Sequence, residues 1–331
     1  MEKRTITYKG KSIETKNFCE VSPQELEEIR NEYYKKPNKD LVLKQMKKVY
    51  SGGVMIDKIT RYYFRDLMAK TLCFGAKWSV EEVFESVDLC GIFKAKVLNS
   101  PKVFSAEKGM SKNIERAISL GGKGYARIPT QFPLKTADTI LEKYNINNNI
   151  YDFSCGWGAR LVSALKHNAN YYGTDPNYEL CYRLEELKKD WKDIIKTNST
   201  VKIFPQGSQY DIPELHNKIG LAFSSPPYFS LEDYKIGEQS YKEGMTLDDW
   251  YESYVYPTIK NIFNYLIKDG YLALNIKDTN YPLVKTFEKA INDFDFEYVE
   301  TIPLKNIKRL KSSGGLTDST DELIYIYKKL I

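Results

Sequence analysis

Two short runs in this 331-residue sequence combine residue types able to do chemistry. The first is Ser224-Ser225-Pro226-Pro227-Tyr228-Phe229. Its two prolines fix both φ angles and stiffen the run, so the Ser225 hydroxyl and the Pro226 carbonyl are held in set directions. Both are hydrogen-bond acceptors, and an aromatic ring follows closely. The second run is Asp152-Phe153-Ser154-Cys155-Gly156-Trp157-Gly158-Ala159-Arg160. Glycines let a backbone turn tightly and approach a ligand closely. The full Gly-x-Gly-x-x-Gly fingerprint is absent, because Leu161 stands where the third glycine would fall. Asp175 lies 17 residues past Gly158. A carboxylate there can accept hydrogen bonds from both ribose hydroxyls of an adenosine-containing cofactor. The plain structural alternatives are a strand-to-helix turn and a proline-rich turn after a strand.

The flanking patterns supply elements to position these residues. Ile150–Phe153, Asn170–Asp175, Val201–Phe204, Ile219–Phe223 and Tyr271–Ile276 read as strands, with helices over 159–167, 178–192 and 282–293 between them. Thr246 caps a long helix that the pattern ends at Asp269-Gly270, with the glycine at C′. Phe296–Ile302 and Leu323–Tyr327 close the sheet. Strand–helix alternation predicts an α/β, doubly wound, Rossmann-like sheet, and both chemical runs then fall at carboxyl ends of strands, where open α/β sheets bind ligands. The front of the chain predicts a smaller helical domain. Ser22-Pro23-Gln24-Glu25 reads as a capping box opening a helix to about Lys36, Leu41, Met46 and Val49 carry an amphipathic stripe, a helix covers about 56–72, and Ser79 caps another to about Leu89. Gly121, Gly122 and Gly124 mark a linker. The predicted domains are 1–120 and 121–331.

The Ser225–Tyr228 tetrapeptide resembles the (Asp/Asn/Ser)-Pro-Pro-Tyr signature of amino-group DNA methyltransferases, which modify adenine N6 or cytosine N4. Asp152–Gly158 is similar to the cofactor motif of that family, usually a Phe-x-Gly-x-Gly core. Pro129-Thr130-Gln131-Phe132-Pro133-Leu134-Lys135 resembles the segment that precedes it and lies over the methionine part of the cofactor. The resemblance spans about residues 125–330 and implies a methyltransferase sheet with S-adenosylmethionine as cofactor. It further implies a cofactor site of Thr130, Phe132, Pro133, Asp152, Phe153, Cys155, Gly156, Gly158, Asp175 and Ser225, and a catalytic loop of Ser225, Pro226, Pro227 and Tyr228. Ser225 Oγ and the Pro226 carbonyl would accept the hydrogens of an exocyclic amine and turn its lone pair toward the methyl donor. Tyr228 would stack on the base, which a duplex must flip out. A serine at the first position leans toward cytosine N4 over adenine N6. An RNA amino-methyltransferase, a protein glutamine methyltransferase and a non-catalytic nucleic-acid-binding protein are the other readings. A cytosine-C5 mechanism would need a Pro-Cys dipeptide, which the chain lacks, so Cys155 reads as a packing residue.

Composition narrows the partners. Residues 1–124 hold 24 Lys and Arg against 16 Asp and Glu, whereas residues 125–331 hold 25 against 28. A basic front half fits a polyanion and a solvated helical surface alike, and charge does not separate DNA, the partner the resemblance implies, from RNA. The short span before Ser225 leaves no room for an inserted recognition domain, which assigns recognition to residues 1–120 by elimination. Arg61-Tyr62-Tyr63-Phe64-Arg65 mixes cations and aromatics as nucleic-acid surfaces do, although its rings also suit a core. Lys308, Arg309 and Lys311 precede Ser312-Ser313-Gly314-Gly315 and suit a phosphate clamp or a solvated hairpin equally. Five scattered cysteines and two histidines argue against a zinc site and a disulfide framework. With no signal-like segment or long apolar run, the expectation is a soluble cytoplasmic protein with no membrane partner and no metal.

Overall fold

A computed structural model describes residues 3–73, 75–99, 110–119, 125–230, 233–234, 238–304, 309–310, 316–317 and 322–331. Gly121, Gly122, Gly124, Lys308, Lys311 and Ser312–Gly315 lie outside them, and so does the side chain of Arg309. The chain divides into two compact units. One comprises 1–37, 64–130 and 231–235, and the other 38–63, 131–230 and 236–331.

The first unit opens with a β-hairpin that the helical reading of this region omits. Strands β1 (Arg4–Tyr8) and β2 (Lys11–Thr15) pair antiparallel. Lys9 and Gly10 turn between them with φ of 47° and 72°, as a two-residue hairpin requires. Helix α1 (Pro23–Tyr34) starts as expected, with Ser22 accepting from the Glu25 amide, but Glu25 gives its carboxylate to Lys94 at 2.8 Å. The helix after Ser79 is broken in two. Ser79 and Glu82 form a capping box over the single turn α4 (Val80–Val83), and Ser86 caps α5 (Val87–Leu98). Ile6, Tyr33, Trp78, Phe84, Phe93 and Ile114, the last from α6 (Met110–Ser119), share this unit's core.

The second unit contains α2 (Lys39–Tyr50), the start of α3 (Asp57–Lys70) and the main sheet. In α2 it is Val42, not Leu41, that is buried with Met46 and Val49. Helix α7 (Leu134–Tyr144) leads into β3 (Asn149–Asp152), α8 (Ala159–Lys166), β4 (Asn170–Thr174), α9 (Tyr178–Ile195), β5 (Val201–Phe204) and β6 (Ile219–Ser224). The short α10 (Leu247–Trp250), a π-helical turn over Tyr251–Val255 and α11 (Tyr256–Tyr265) then form one continuous rod. After it come β7 (Leu266–Ile276), α12 (Leu283–Ile291), β8 (Phe296–Pro303), the two-residue pair β9 (Arg309–Leu310) and β10 (Leu316–Thr317), and β11 (Leu323–Lys329).

The sheet order is β5-β4-β3-β6-β7-β11-β8. The pairings among β5, β4, β3, β6 and β7 are parallel, and β11 runs antiparallel between β7 and β8. This is the doubly wound Rossmann-like order with one reversed strand inserted beside its last member. Alternation along the parallel strands sends Tyr151 and Tyr172 into the core with Trp250, Ile259 and Phe287, and sends Ile150, Asp152 and Tyr171 to the opposite face. The rod ends at Tyr265 rather than at Asp269-Gly270. The left-handed residue is Asp269, with φ 63°. Gly270 serves close approach instead, since a Cβ there would stand 2.9 Å from the Ile267 carbonyl and 3.3 Å from that of Gly220.

Gly173 fills the same need at the heart of the sheet. A Cβ on it would meet Cys155 Sγ at 2.5 Å and the Tyr171 ring at 2.7 Å. Gly173→Ala should therefore destabilise the second unit by about 1–3 kcal/mol through overpacking, read from the midpoint of urea unfolding. An unchanged midpoint would refute this packing role.

Candidate active site

The carboxyl ends of β3, β4, β6 and β7 bring the chemical residues to one edge. Asp152, at the end of β3, is fully buried. Its Oδ2 accepts from Arg160 Nε at 2.9 Å and from the Tyr171 hydroxyl at 2.7 Å. Its Oδ1 accepts from Ser224 Oγ at 2.7 Å and from the Ser154 amide at 3.3 Å. Arg160 closes the cluster by donating to the Ser154 carbonyl and, at 3.2 Å, to Ser224 Oγ. Burial works against the Arg160 charge, yet the Asp152 carboxylate holds its pKa above the ordinary value. Burial first, and Asp152 second, push the Tyr171 hydroxyl well up, so it stays protonated and donates. The cluster fastens the turn after β3 to the last residue of β6.

This arrangement turns the side chains of three residues expected at the cofactor into the fold. The Asp152 carboxylate is engaged by four protein donors and has none of its surface at the edge. Phe153 packs into the core with Tyr151. Cys155 is buried with its sulfur turned to Gly173, and burial pushes its thiol well above the usual range. The backbone of the turn carries what remains. Gly156 and Gly158 take φ of 54° and 77°, which side chains rarely adopt. Gly158 opens α8 with no side-chain cap, leaving amide groups of the first turn for another acceptor. Phe132 is half-buried, edge-on to Phe223 and under the Arg160 guanidinium at 5.4 Å. Pro133 stands at the start of α7, and Thr130 is exposed on the other compact unit.

Asp175 follows β4 and is buried with few donors. It accepts from the Asn177 amide at 3.0 Å and from the Gly156 amide at 3.4 Å. Burial pushes its carboxyl up to about 7. In the loop after β5, the neighbouring strand, Gln209 Oε1 is buried without a hydrogen-bond partner. A Cβ on Gly207 would overlap that amide, at 2.2 Å from Oε1. An under-supplied carboxyl beside an open helix start suits a ligand with O–H or N–H donors and an anionic group. An adenosine joined to an amino acid answers that description, so the residues present fit S-adenosylmethionine.

On the other side of β3, Ser225 is half-buried and donates to Asn275 Oδ1 at 2.7 Å. The Tyr228 hydroxyl donates to Glu322 at 2.9 Å, and Lys277 stands 3.9 Å from the same carboxylate. Phe229 closes the loop with φ 54°, held by the rings of Tyr241, Trp250 and Tyr281 at centroid distances of 4.8, 5.4 and 4.8 Å. Asn275 and Glu322 escape sequence reading, because each sits far along the chain from the residue it bonds. Ser224 and Arg160 lie within or beside the quoted runs but carry no recognisable spacing.

Two expected nucleic-acid contacts lie partly in the interior. The Arg65 guanidinium lies 3.8 Å over the Tyr33 ring, with Nε and Nη2 buried, and the Nε of Arg61 is buried too. Tyr63 and Phe64 between them are core residues. The long aliphatic stems of arginine pack well, so cations beside aromatics also build interiors. Among the described residues no helix is long and apolar enough to cross a membrane.

No family model matches the sequence, and no curated protein does. Solved structures similar to the chain include a SAM-dependent O-methyltransferase from Thermotoga maritima, at 13% identity over 61% of this chain and 68% of that one, with a TM-score of 0.41. A tRNA methyltransferase from Aquifex aeolicus shares 13% identity over 61% and 71% of the two chains, with a TM-score of 0.42. An rRNA methylase from Streptococcus thermophilus shares 14% over 61% and 99%, with a TM-score of 0.39. Likenesses this distant assign no substrate.

Two outcomes test the electrostatics. Arg160→Met leaves a buried carboxylate without its counter-charge and should cost about 3–5 kcal/mol in urea unfolding; a loss below about 1 kcal/mol would remove the cluster's structural role. Asp175 has a folded-state pKa of about 7, above that of an unfolded aspartate. Between those values the folded chain binds more protons than the unfolded chain, so stability falls as pH rises through the window. Asp175→Asn lacks this slope. Its unfolding free energy should therefore gain on wild type from about pH 4 to about pH 7 and run parallel above that. Parallel curves throughout would overturn the assignment.

Proposed function

We propose that this protein transfers a methyl group from S-adenosylmethionine to an exocyclic amino group of a base in DNA, cytosine N4 ahead of adenine N6. The observation that carries the reading is the Ser225-Pro226-Pro227-Tyr228 loop at the carboxyl end of β6, fastened through Ser224 to the glycine turn after β3. Gly156, Gly158, Asp175 and Phe132 would hold the cofactor, with Asp175 receiving the ribose hydroxyls. When bound, S-adenosylmethionine supplies an electrophilic methyl group. The chain's own part is to bind and aim the amine. Ser225 Oγ and the Pro226 carbonyl each accept one amine hydrogen, which turns the nitrogen lone pair toward the methyl and favours the developing charge over the resting amine. A serine hydroxyl is a weak base, so the amine proton leaves to solvent after transfer. Tyr228 offers its ring to the base while its hydroxyl is tied back to Glu322, which presets the stacking surface.

Incubation with methyl-labelled S-adenosylmethionine and unmodified DNA or RNA, then mass spectrometry of the nucleosides, tests this. The expected product is N4-methylcytosine in DNA. N6-methyladenine would move the base assignment, label confined to RNA would move the polymer, and transfer to neither would overturn the reading. Ser225→Ala should slow transfer on the order of 10²-fold with cofactor affinity unchanged by calorimetry, whereas Asp175→Ala should weaken cofactor binding.

A further inference from the structure

Asn275 sits on β7, fifty residues from Ser225 in sequence and beside it in the sheet. It is buried, at 2% exposure. Its Nδ2 donates to the Leu323 carbonyl at 3.0 Å, and its Oδ1 lies 2.7 Å from Ser225 Oγ. The first bond decides the second. A backbone carbonyl can only accept, so the amide nitrogen must face Leu323 and the amide oxygen must face Ser225. That oxygen can only accept in turn, so the Ser225 hydroxyl must donate to it. The one proton of Ser225 is thereby spent inside the protein, and only lone pairs face outward.

We infer that Asn275 is a positioning residue that makes Ser225 an acceptor-only group and thereby restricts this site to NH2 substrates. The inference rests on the methyl-transfer reading above and adds the source of its chemical selectivity. A free serine hydroxyl is ambivalent. It can receive an amine hydrogen, or it can donate to a ring nitrogen or a carbonyl oxygen and hold the wrong edge of a base. With its proton fixed on Asn275, Ser225 pairs only with a donor. The Pro226 carbonyl is likewise acceptor-only, and Pro226 and Pro227 contribute no amide hydrogen. Two acceptors without a competing donor are satisfied by the two hydrogens of one amino group. A pyridine-type ring nitrogen supplies neither, and a ring N–H or a hydroxyl supplies one. Leu323 is the first residue of β11, whose antiparallel pairing with β7 sets Leu323 opposite Ile276. The reversed strand of the sheet thus fixes the protonation geometry of the loop after β6.

The test is a double-variant cycle on the nucleic acid that wild type labels in the experiment above, under single-turnover conditions with saturating S-adenosylmethionine. Asn275→Ala should slow methyl transfer by 10-fold or more, because the freed hydroxyl rotates. On a Ser225→Ala background the same substitution should change the rate by less than about 3-fold, since its effect passes through Ser225. Calorimetric affinity for S-adenosylmethionine should stay within about 3-fold in both single variants. A general loss of structure would instead lower the rate equally on both backgrounds and weaken the cofactor, which would overturn the inference. So would an Asn275→Ala rate equal to wild type while Ser225→Ala is slow, and that result leaves the methyl-transfer reading standing. No labelled nucleoside with wild type removes that reading and this inference with it.

Discussion

The buried ion pair between Asp152 and Arg160 is the constraint on which the candidate site depends. An aspartate and an arginine withdrawn from water lose several kcal/mol of hydration each, and their mutual attraction compensates only when the remaining lone pairs and protons are also met. Here Tyr171, Ser224 and the Ser154 backbone meet them. Completion of the cluster requires β3, β4, β6 and the start of α8 to arrive together. Ser224 and Ser154 are the residues from which the two chemical loops depart. A half-made cluster would be costly, so the loops are fixed relative to each other as a condition of folding rather than by contacts of their own.

Asp175 shows what the same edge does when burial is not compensated. Both carboxylates end parallel strands, one strand apart. Asp152 has a guanidinium and two hydroxyl donors; Asp175 has two backbone amides, one of them at 3.4 Å. The result is a carboxyl whose pKa rises to about 7. The proposed ribose contact rests on this shortage, because a ligand's donors can restore what folding leaves unmet. The two aspartates therefore divide into one whose acceptors are filled within the fold and one whose acceptors are left short of donors, and charge or position along the sequence does not separate them.

Periodicity carried the sheet. Alternating strands and helices from Ile150 to Tyr327 are legible because each strand is short, apolar and bounded by turn residues. Elements without that signature were harder to read. Helix α5 buries residues around its whole circumference, Leu89, Cys90, Ile92, Phe93, Ala95 and Val97 among them, so no single stripe marks its period. Asp269-Gly270 has the composition of a helix end, yet the glycine is there to let two backbones approach, and β7 has already begun. The hairpin of β1 and β2 had a readable signal, alternating Thr5-Ile6-Thr7-Tyr8 and Ser12-Ile13-Glu14-Thr15 around Lys9-Gly10, overshadowed by the helical patterns that follow. In the site, residues inside contiguous runs were visible and their partners were not. Asn275 and Glu322 meet Ser225 and Tyr228 only through the order of strands β6, β7 and β11, which no local pattern encodes.

The loop after β6 is rigid for a different reason from the cluster that anchors it. Pro226 and Pro227 remove two φ freedoms before folding starts, so little entropy is lost on ordering them. Phe229 then adopts φ 54°, an outlying conformation for a bulky side chain, and keeps it because three aromatic rings enclose the phenyl group. The strain persists where the surroundings over-determine the residue, and here they come from α10, from the segment before it and from the segment after β7. Ser225 and Tyr228 are thus fixed from both ends, by Ser224 on the sheet side and by Phe229 on the helix side, while Asn275 and Glu322 fix their polar atoms. In the proposed function, a loop held from both ends has little room to adapt to its ligand. Whatever binds must match the directions already set, which is the condition for electrostatic positioning to act on a transition state rather than be absorbed by movement of the protein.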